Sequence, residues 1–230
     1  MKYKHIFFDL DHTLWDFEKN ALETLSELYE HFKLSEHGVP SLELFVETYL
    51  HRNDLMWEQY RFGNIDKDTL RNKRFEFALY DLEVEDSRLA KTLSDEYIKI
   101  GPKKTNVFPQ THETLDYLKE KYTLHIISNG FPETQSIKMD SSDISKYFSK
   151  VILSENVGFK KPHPNIFLHA LNKAKTNAAE SLMIGDNLDL DIEGARMAAI
   201  DQVYFNPKKI IHSYQPTYEI EALIQLKDFL

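Results

Sequence analysis

Short apolar runs that end in polar residues alternate along this chain with longer stretches of helical periodicity. The first run, Ile6-Phe7-Phe8, directly precedes Asp9 and Asp11. An apolar run of this length between polar residues is typical of a buried β-strand. The pattern therefore predicts an early core strand whose carboxyl end carries two carboxylates.

Helical spacing of the apolar residues dominates from about residue 16 to about residue 103, and no strand is predicted there. Turn signals at residues 38–41 and 62–66 separate the first three predicted helices, and a fourth helix is predicted before Gly101-Pro102. Ser41 and Asp66 are the predicted N-caps of the second and third helices. The stretch therefore predicts an all-helical domain inserted after the first strand.

Strands and helices alternate after residue 107. The predicted strands are residues 124–127, 150–154, 181–184 and 202–205, and the predicted helices are residues 110–121, 163–174 and 188–199, one after residue 130 and a closing helix within 219–230. This alternation indicates an α/β fold with a doubly wound, Rossmann-like parallel sheet. The core domain is assigned to residues 1–15 and 104–230, and the helical insertion to residues 16–103.

Composition and charge narrow the classes of protein to consider. The chain has 230 residues, of which 42% are hydrophobic and 28% are charged, so a packed core is expected. Its net charge of −9 argues against binders of nucleic acid polymers or of membrane surfaces, which need a basic face. There are no cysteines, no signal-peptide core and no apolar run near the ~18 residues of a membrane helix. We expect a soluble cytoplasmic protein.

Polar groups of several chemical types follow the predicted strands. In chain order they are Asp9 and Asp11, Ser128 and Asn129, Lys160 and Lys161, and the acids Asp186, Asp189 and Asp191. A parallel sheet brings its strand ends to one edge, so these groups can share one pocket. The carboxylates offer the oxygen ligands that Mg²⁺ prefers. The hydroxyl and the cation can bind the oxygens of a phosphate group. Together these groups suit the binding of a phosphate ester with Mg²⁺.

Each assignment has an alternative when the residues are taken singly. The acidic pair Asp9 and Asp11 is equally compatible with a plain strand-to-loop turn. Ser128 alone is more often a strand-end or turn residue. Lys160 competes with Lys161 for the cationic position, and Asp189 competes with Asp191 for the second acidic one.

Taken together, the motifs resemble those of the haloacid dehalogenase (HAD) superfamily of phosphatases. They are D-x-D-x-T-L at residues 9–14, the serine at Ser128, the lysine Lys161 before Pro162, and G-D-x-x-x-x-D at residues 185–191. The helical insertion is similar to the C1-type cap of that family. Two departures concern loops: Ala199 and Gln110 stand where many relatives have glycine.

The resemblance implies a role for each core residue. Asp9 would attack phosphorus to form an aspartyl-phosphate, and Asp11 would act as general acid and then as general base. Ser128, Lys161 and the Asn129 backbone would bind the phosphoryl oxygens.

The resemblance also implies a Mg²⁺ site. Its ligands would be Asp9, the main-chain carbonyl of Asp11 and Asp186, with Asp191 supporting the site through a water. Thr13 is expected to orient the acidic loop.

A more specific resemblance concerns the substrate. Residues 127–135 and 53–60 are similar to the bacterial nucleotidase branch that acts on pyrimidine nucleoside 5′-monophosphates. Asn53, Trp57 and Arg74 are the candidate groups for the leaving group of a small phosphorylated metabolite. For Trp57 the alternative is core packing, and for Arg74 it is a surface ion pair.

Other functions share the same motifs. A phosphatase of a sugar phosphate or of phosphoglycolate, and a sugar phosphomutase, are the alternative enzymes. A phosphate-binding regulator is the alternative that is not an enzyme, and the presence of Asp9, Asp11, Lys161 and Asp186 argues against it.

Overall fold

The computed structural model of this protein describes residues 2–230. The chain folds into two compact units. One contains the residues through Phe17 together with Thr105–Leu230, and the other is Glu18–Lys104. Each unit has a hydrophobic cluster of its own, so each is described separately.

The unit Glu18–Lys104 consists of helices. They are α1 (Phe17–His31, which starts one residue before the unit), α2 (Leu42–Arg61), α3 (Lys67–Asp81) and α4 (Ser87–Ile100), with 3₁₀ turns at Leu34–His37 and Gly101–Lys103. The N–H of Leu44 donates to Ser41 Oγ at 3.2 Å, and the N–H of Thr69 donates to Asp66 Oδ1 at 2.7 Å. Both predicted N-caps are therefore confirmed. Phe45, Tyr49 and Phe75 are fully buried within this unit.

The other unit is built on a six-stranded sheet in the order β3-β2-β1-β4-β5-β6. The strands are β1 (His5–Phe8), β2 (Thr123–Ser128), β3 (Phe148–Leu153), β4 (Ser181–Gly185), β5 (Asp201–Phe205) and β6 (Tyr218–Ile220). Every neighbouring pair is parallel. The predicted α/β class with a doubly wound parallel sheet is confirmed.

Helices flank this sheet on both faces. They are α5 (Thr111–Lys119), α6 (Pro132–Ser141), α7 (Ser154–Val157), α8 (Pro164–Ala174) and α9 (Gly194–Met197), with a π-helical segment at Leu188–Glu193. Ile6 and Phe8 of β1 belong to one hydrophobic cluster, whereas Phe7 belongs to a second. Successive side chains of a strand point to opposite faces, so the two clusters lie on opposite sides of β1. This double burial explains the continuous apolar run in the sequence.

The chain leaves and re-enters this unit through a small hydrogen-bonded junction. Trp15 and Val107 form an antiparallel bridge. The N–H of Asp16 donates to the Asn106 carbonyl at 3.1 Å, and the N–H of Phe108 donates to the Leu14 carbonyl at 2.9 Å. The two connections to the inserted segment are therefore joined to each other by backbone hydrogen bonds.

Three predictions of secondary structure differ from the structure in the type of element or in its bounds. The expected closing helix is the short strand β6 followed by a 3₁₀ segment, Leu223–Asp228. The helix expected over residues 188–199 is the π-helical segment followed by the single turn of α9. Strand β3 starts at Phe148, two residues early, and ends at Leu153 because Ser154 already begins α7.

No helix within residues 2–230 combines the length and the apolar character that crossing a bilayer requires.

Candidate active site

The carboxyl end of β1 carries the acidic loop. Asp9 is 8% exposed, and its N–H donates to the Ile184 carbonyl of the neighbouring strand at 2.9 Å. His12 turns the chain with a left-handed φ of 64°, and its N–H donates to the Trp15 carbonyl at 2.9 Å. The buried Thr13 Oγ1 donates to Asp186 Oδ1 at 2.8 Å, so the loop after β1 is linked to the loop after β4.

Lys161 is the buried cation of the site. Its Nζ donates to Asp9 Oδ1 at 2.5 Å, to Asp191 Oδ1 at 2.6 Å and to the Ile127 carbonyl at 3.0 Å. An ammonium has three donors, and all three have acceptors here. Burial disfavours the charged lysine, but the two carboxylates outweigh burial and raise the pKa of Lys161. The two carboxylates therefore favour the charged form of Lys161.

The backbone of Lys161 is fixed by the predicted site residue Asn129. The Asn129 amide donates from Nδ2 to the Lys161 carbonyl at 3.0 Å and accepts the Lys161 N–H at Oδ1 at 2.8 Å. This pair of bonds joins the end of β2 to the loop before α8. Lys160, the alternative cation, is partly exposed, whereas Lys161 is 3% exposed and meets the carboxylates.

Three carboxylates converge beside this lysine. One oxygen from each of Asp9, Asp186 and Asp191 lies within 4.8 Å of the others. Burial is the main cause that raises the pKa of Asp9 to about 7, and Asp191 and Asp11 add to it. Burial and the charge of Asp9 raise the pKa of Asp186 to about 6. Crowded carboxylates with raised pKa values form a site that a divalent cation would stabilise.

The donor set fits Mg²⁺ among the common metals. The three converging side chains offer oxygen atoms and neither nitrogen nor sulfur. Asp186 accepts from Thr13 and forms no salt bridge within residues 2–230, so its charge is left for a cation. Asp191 is 1% exposed, whereas its alternative Asp189 is exposed and accepts a bond from Tyr214.

Gly185 makes room for the Asp191 side chain. A Cβ at Gly185 would lie 2.4 Å from Asp191 Cγ and 2.4 Å from its Oδ2. The glycine of the G-D-x-x-x-x-D motif is therefore a steric requirement of the acid that follows six residues later.

Asp11 faces a different set of partners from Asp9. Lys138 Nζ lies 2.6 Å from Asp11 Oδ1, and Gln135 Nε2 lies 2.8 Å from Asp11 Oδ2. Burial alone would raise the pKa of Asp11, but Lys138 and Gln135 outweigh burial and lower it. The two acids of one motif therefore differ in pKa, and a site that separates its acids in this way suits acid–base chemistry.

Sequence reasoning missed Gln135 and Lys138 as parts of this site. Both lie on α6, the helix that begins at the carboxyl end of β2, and they are three residues apart. Residues at that spacing share one face of a helix. That spacing on the helix after the second motif was the available signal.

The candidate substrate residues lie in the helical unit. Arg74 is 7% exposed, donates from Nη1 to Asn53 Oδ1 at 2.9 Å and lies over the rings of Tyr49 and Tyr97 at 5.9 and 5.5 Å. The alternative interpretation of Arg74 as part of a surface ion pair is therefore wrong, because its side chain is buried and donates to a neutral amide. Trp57 is partly exposed, and its ring meets Tyr60 edge-on at 5.7 Å. The structure brings Asn53 and Arg74 into contact, whereas Trp57 contacts Tyr60.

Known proteins resemble this chain over its whole length. The model of the haloacid dehalogenase-like hydrolase family matches residues 3–199. Pyrimidine 5′-nucleotidase PynA of Streptococcus pneumoniae is 32% identical, over 100% of this chain and 96% of its own. Pyrimidine 5′-nucleotidase YjjG of Escherichia coli is 27% identical, over 100% of this chain and 99% of its own. The magnesium-bound crystal structure of the HAD-hydrolase YfnB from Bacillus subtilis aligns with a TM-score of 0.88 at 26% identity, covering 99% of this chain and 98% of that one.

Proposed function

Because this chain belongs to the haloacid dehalogenase-like hydrolases, we propose that it is a Mg²⁺-dependent phosphomonoesterase that acts on pyrimidine nucleoside 5′-monophosphates. The observation that carries the proposal is Lys161, a buried lysine bound to Asp9 and Asp191 beside a third carboxylate. The substrate class is supported by PynA and YjjG, two full-length relatives that are named pyrimidine 5′-nucleotidases.

The metal would be held by the acids at the sheet edge. Asp9, Asp186 and the main-chain carbonyl of Asp11 would be its ligands, and Asp191 would support them. Mg²⁺ bound there would neutralise charge between a carboxylate and a phosphate dianion, which otherwise repel each other.

Asp9 is the proposed nucleophile. One of its carboxylate oxygens forms a bond to phosphorus while the bond from phosphorus to the ester oxygen breaks, and Asp11 gives its proton to that oxygen. A water then attacks the aspartyl-phosphate, Asp11 takes a proton from this water, and inorganic phosphate leaves. Lys138 and Gln135 favour the ionised form of Asp11, which is the form needed for the second step, so Asp11 must take up a proton from solvent before the first step.

The phosphoryl oxygens would be bound by Ser128, by Lys161 and by the backbone at Asn129. Lys161 supplies a permanent positive charge at the strand ends, and Ser128 is 2% exposed at the end of β2. Such fixed donors stabilise charge on a transferring phosphoryl group without reorganisation during the reaction.

The helical unit Glu18–Lys104 is the proposed cap and would select the leaving group. Asn53, Trp57 and Arg74 are its proposed recognition residues. Arg74 keeps its planar donors among two aromatic rings and one amide, an environment that suits a polar, planar group.

The test is the release of phosphate with Mg²⁺ from a panel of nucleoside monophosphates and sugar phosphates. We expect preference for UMP, dUMP or dTMP, and loss of at least ~1,000-fold in kcat for Asp9→Asn, because the nucleophile is removed. Asp189→Asn is the matched control, since this acid is exposed, and it should keep full activity.

Two results would change the proposal. Full activity of Asp9→Asn would exclude Asp9 as the nucleophile. Preference for a sugar phosphate, with the Asp9→Asn defect unchanged, would keep the mechanism and discard the nucleotide as substrate.

A further inference from the structure

Gln135 joins two of the motif residues with a single amide group. It is fully buried on α6, and its Nε2 lies 2.8 Å from Asp11 Oδ2 and 2.7 Å from Ser128 Oγ. The amide nitrogen therefore donates both to a carboxylate oxygen of Asp11 and to the hydroxyl oxygen of Ser128. The two hydrogens of this nitrogen are then used by one bond to each residue.

The Ser128 hydroxyl is left with one possible role. Its oxygen accepts from Gln135 and also from the N–H of Gly130 at 3.1 Å. A hydroxyl oxygen has two lone pairs, and both are occupied here. The hydroxyl hydrogen must therefore point away from these two donors, and Ser128 can act toward a ligand only as a donor.

The orientation with Nε2 toward Asp11 and Ser128 leaves the amide oxygen of Gln135 unpaired, which costs free energy. Gln135 Oε1 is buried and has no hydrogen-bond partner within residues 2–230. A Cβ at Gly130 would lie 2.2 Å from Gln135 Nε2, so the amide occupies the space that any side chain at Gly130 would need. A flipped amide would present its carbonyl oxygen to the Asp11 carboxylate, and the Ser128 hydroxyl would then have to donate to Gln135 rather than to a ligand.

We propose that Gln135 is a positioning residue that sets Ser128 as a donor to the phosphoryl group and at the same time holds the carboxylate of Asp11. This inference rests on the proposed function and extends it, because it couples the phosphate-binding serine to the acid–base residue. Lys138 differs, since it binds Asp11 Oδ1 and is 12% exposed in its side chain.

The experiment is a double-mutant cycle between Gln135→Met and Ser128→Ala, with phosphate release and inhibition by inorganic phosphate as readouts. Methionine preserves the volume and removes both donors. We expect Gln135→Met to lower kcat/KM by about 10- to 100-fold and to weaken inhibition by phosphate. In the Ser128→Ala background, the fold-decrease in kcat/KM caused by Gln135→Met should be at least about threefold smaller, because the hydroxyl that Gln135 positions is already absent.

Two further variants keep the test decisive. Gly130→Ala leaves Gln135 in the sequence but displaces its amide, and it should reproduce the Gln135→Met defect even if the methionine variant folds poorly. Ser136→Ala, at an exposed position on the same helix, is the control and should keep wild-type kinetics.

The outcomes separate this inference from the proposed function. Wild-type kinetics in Gln135→Met and Gly130→Ala, or effects that multiply fully with Ser128→Ala, would overturn the positioning role while the phosphatase stands. Absence of phosphate release from every ester by the wild-type protein would overturn both.

Discussion

Two of the residues with a left-handed backbone in the sheet-based unit stand where the sequence resemblance places glycine in many relatives. Ala199, after α9, has a φ of 57°, and Gln110, before α5, has a φ of 62°. A Cβ in the left-handed region is too close to the neighbouring carbonyl oxygen, at a cost of roughly 1–2 kcal/mol. The sequence resemblance places glycine at both positions in many relatives. This chain therefore forms the same left-handed turns with residues whose Cβ atoms are strained there.

Ala199→Gly should stabilise the protein. Relief of the left-handed strain exceeds the extra entropy that glycine gives the unfolded chain, so we expect a gain of about 0.5–1 kcal/mol in the free energy of unfolding. Urea unfolding at constant pH measures it.

The adjacent Ala198→Gly is the matched control for this prediction. Ala198 has a φ of −93° and is 8% exposed, so glycine there should destabilise by about 1 kcal/mol. Equal effects of the two substitutions would show that the turn carries no strain.

The placement of single residues was predictable where the motif spacing was strong. Lys161 and Asp191 were preferred to Lys160 and Asp189 from their positions in the motifs, and the structure gives the preferred pair the buried positions. Gln135 was not predicted as part of the site, because its contact with Asp11 depends on how α6 packs at the sheet edge.

At the scale of elements, the neighbouring strands β1 and β2 carry a pair of histidines, of which His125 is buried and His5 is partly buried. His5 Nδ1 lies 3.0 Å from His125 Nε2, and the rings stack at a centroid distance of 5.3 Å. Burial is the main cause that lowers the pKa of His125 to about 4, and the charges of His5 and Lys150 add to it. Burial also lowers the pKa of His5, which lies near Lys4 and Glu180.

This pair should make folding sensitive to mild acid. The unfolded chain binds a proton at His125 near pH 6.5 and the folded chain only near pH 4, so stability is full above pH 6.5 and falls as the pH drops to 4. We expect His125→Gln to reduce the loss of unfolding free energy between pH 7.5 and 5 by on the order of 1–2 kcal/mol. Urea unfolding at the two pH values measures this loss.

His169→Gln, on the exposed side of α8, is the control for the pH effect. It should keep the wild-type loss between the two pH values. An identical loss in His125→Gln would mean that the strand pair does not cause the acid sensitivity.

The elements that the sequence predicted well are those with a strong hydrophobic pattern. Strands β1, β2, β4 and β5 are nearly continuously buried, and that burial produces their apolar runs. Strand β6 has three residues, of which only Ile220 is buried. Its hydrophobic pattern is therefore too short to distinguish a strand from a helix. The π-helical segment was taken for an α-helix because apolar spacing alone does not separate the two.

At the scale of the whole molecule, binding of a metal ion at the acidic cluster would change the stability of the fold. Asp9, Asp186 and Asp191 repel one another in the same unit that carries the six-stranded sheet. A ligand that binds only the folded state stabilises it by about 2.7 kcal/mol at 100 times its Kd.

Saturating Mg²⁺ should therefore raise the Tm relative to EDTA, and Asp186→Asn should lose most of that shift. In EDTA at neutral pH the same variant should be more stable than wild type by about 1 kcal/mol, because the raised pKa of Asp186 means that its charge opposes folding. Thermal unfolding with and without Mg²⁺ measures both effects.

Asp189→Asn should keep the wild-type response to Mg²⁺, since Asp189 is exposed outside the cluster. A Mg²⁺ shift of wild-type size in Asp186→Asn would place the metal elsewhere.

The hydrogen-bonded junction at Trp15 and Val107 also bears on how such a protein can change over evolutionary time. Because entry and exit of the inserted segment are joined within the sheet-based unit, the insert is a closed loop whose ends need no further ordering. Doubling the length of a flexible loop costs only about 0.6 kcal/mol. Lineages can therefore change the length of the flexible connections to the insert at little cost in closure entropy, while the sheet edge that carries the acidic cluster is inherited unchanged.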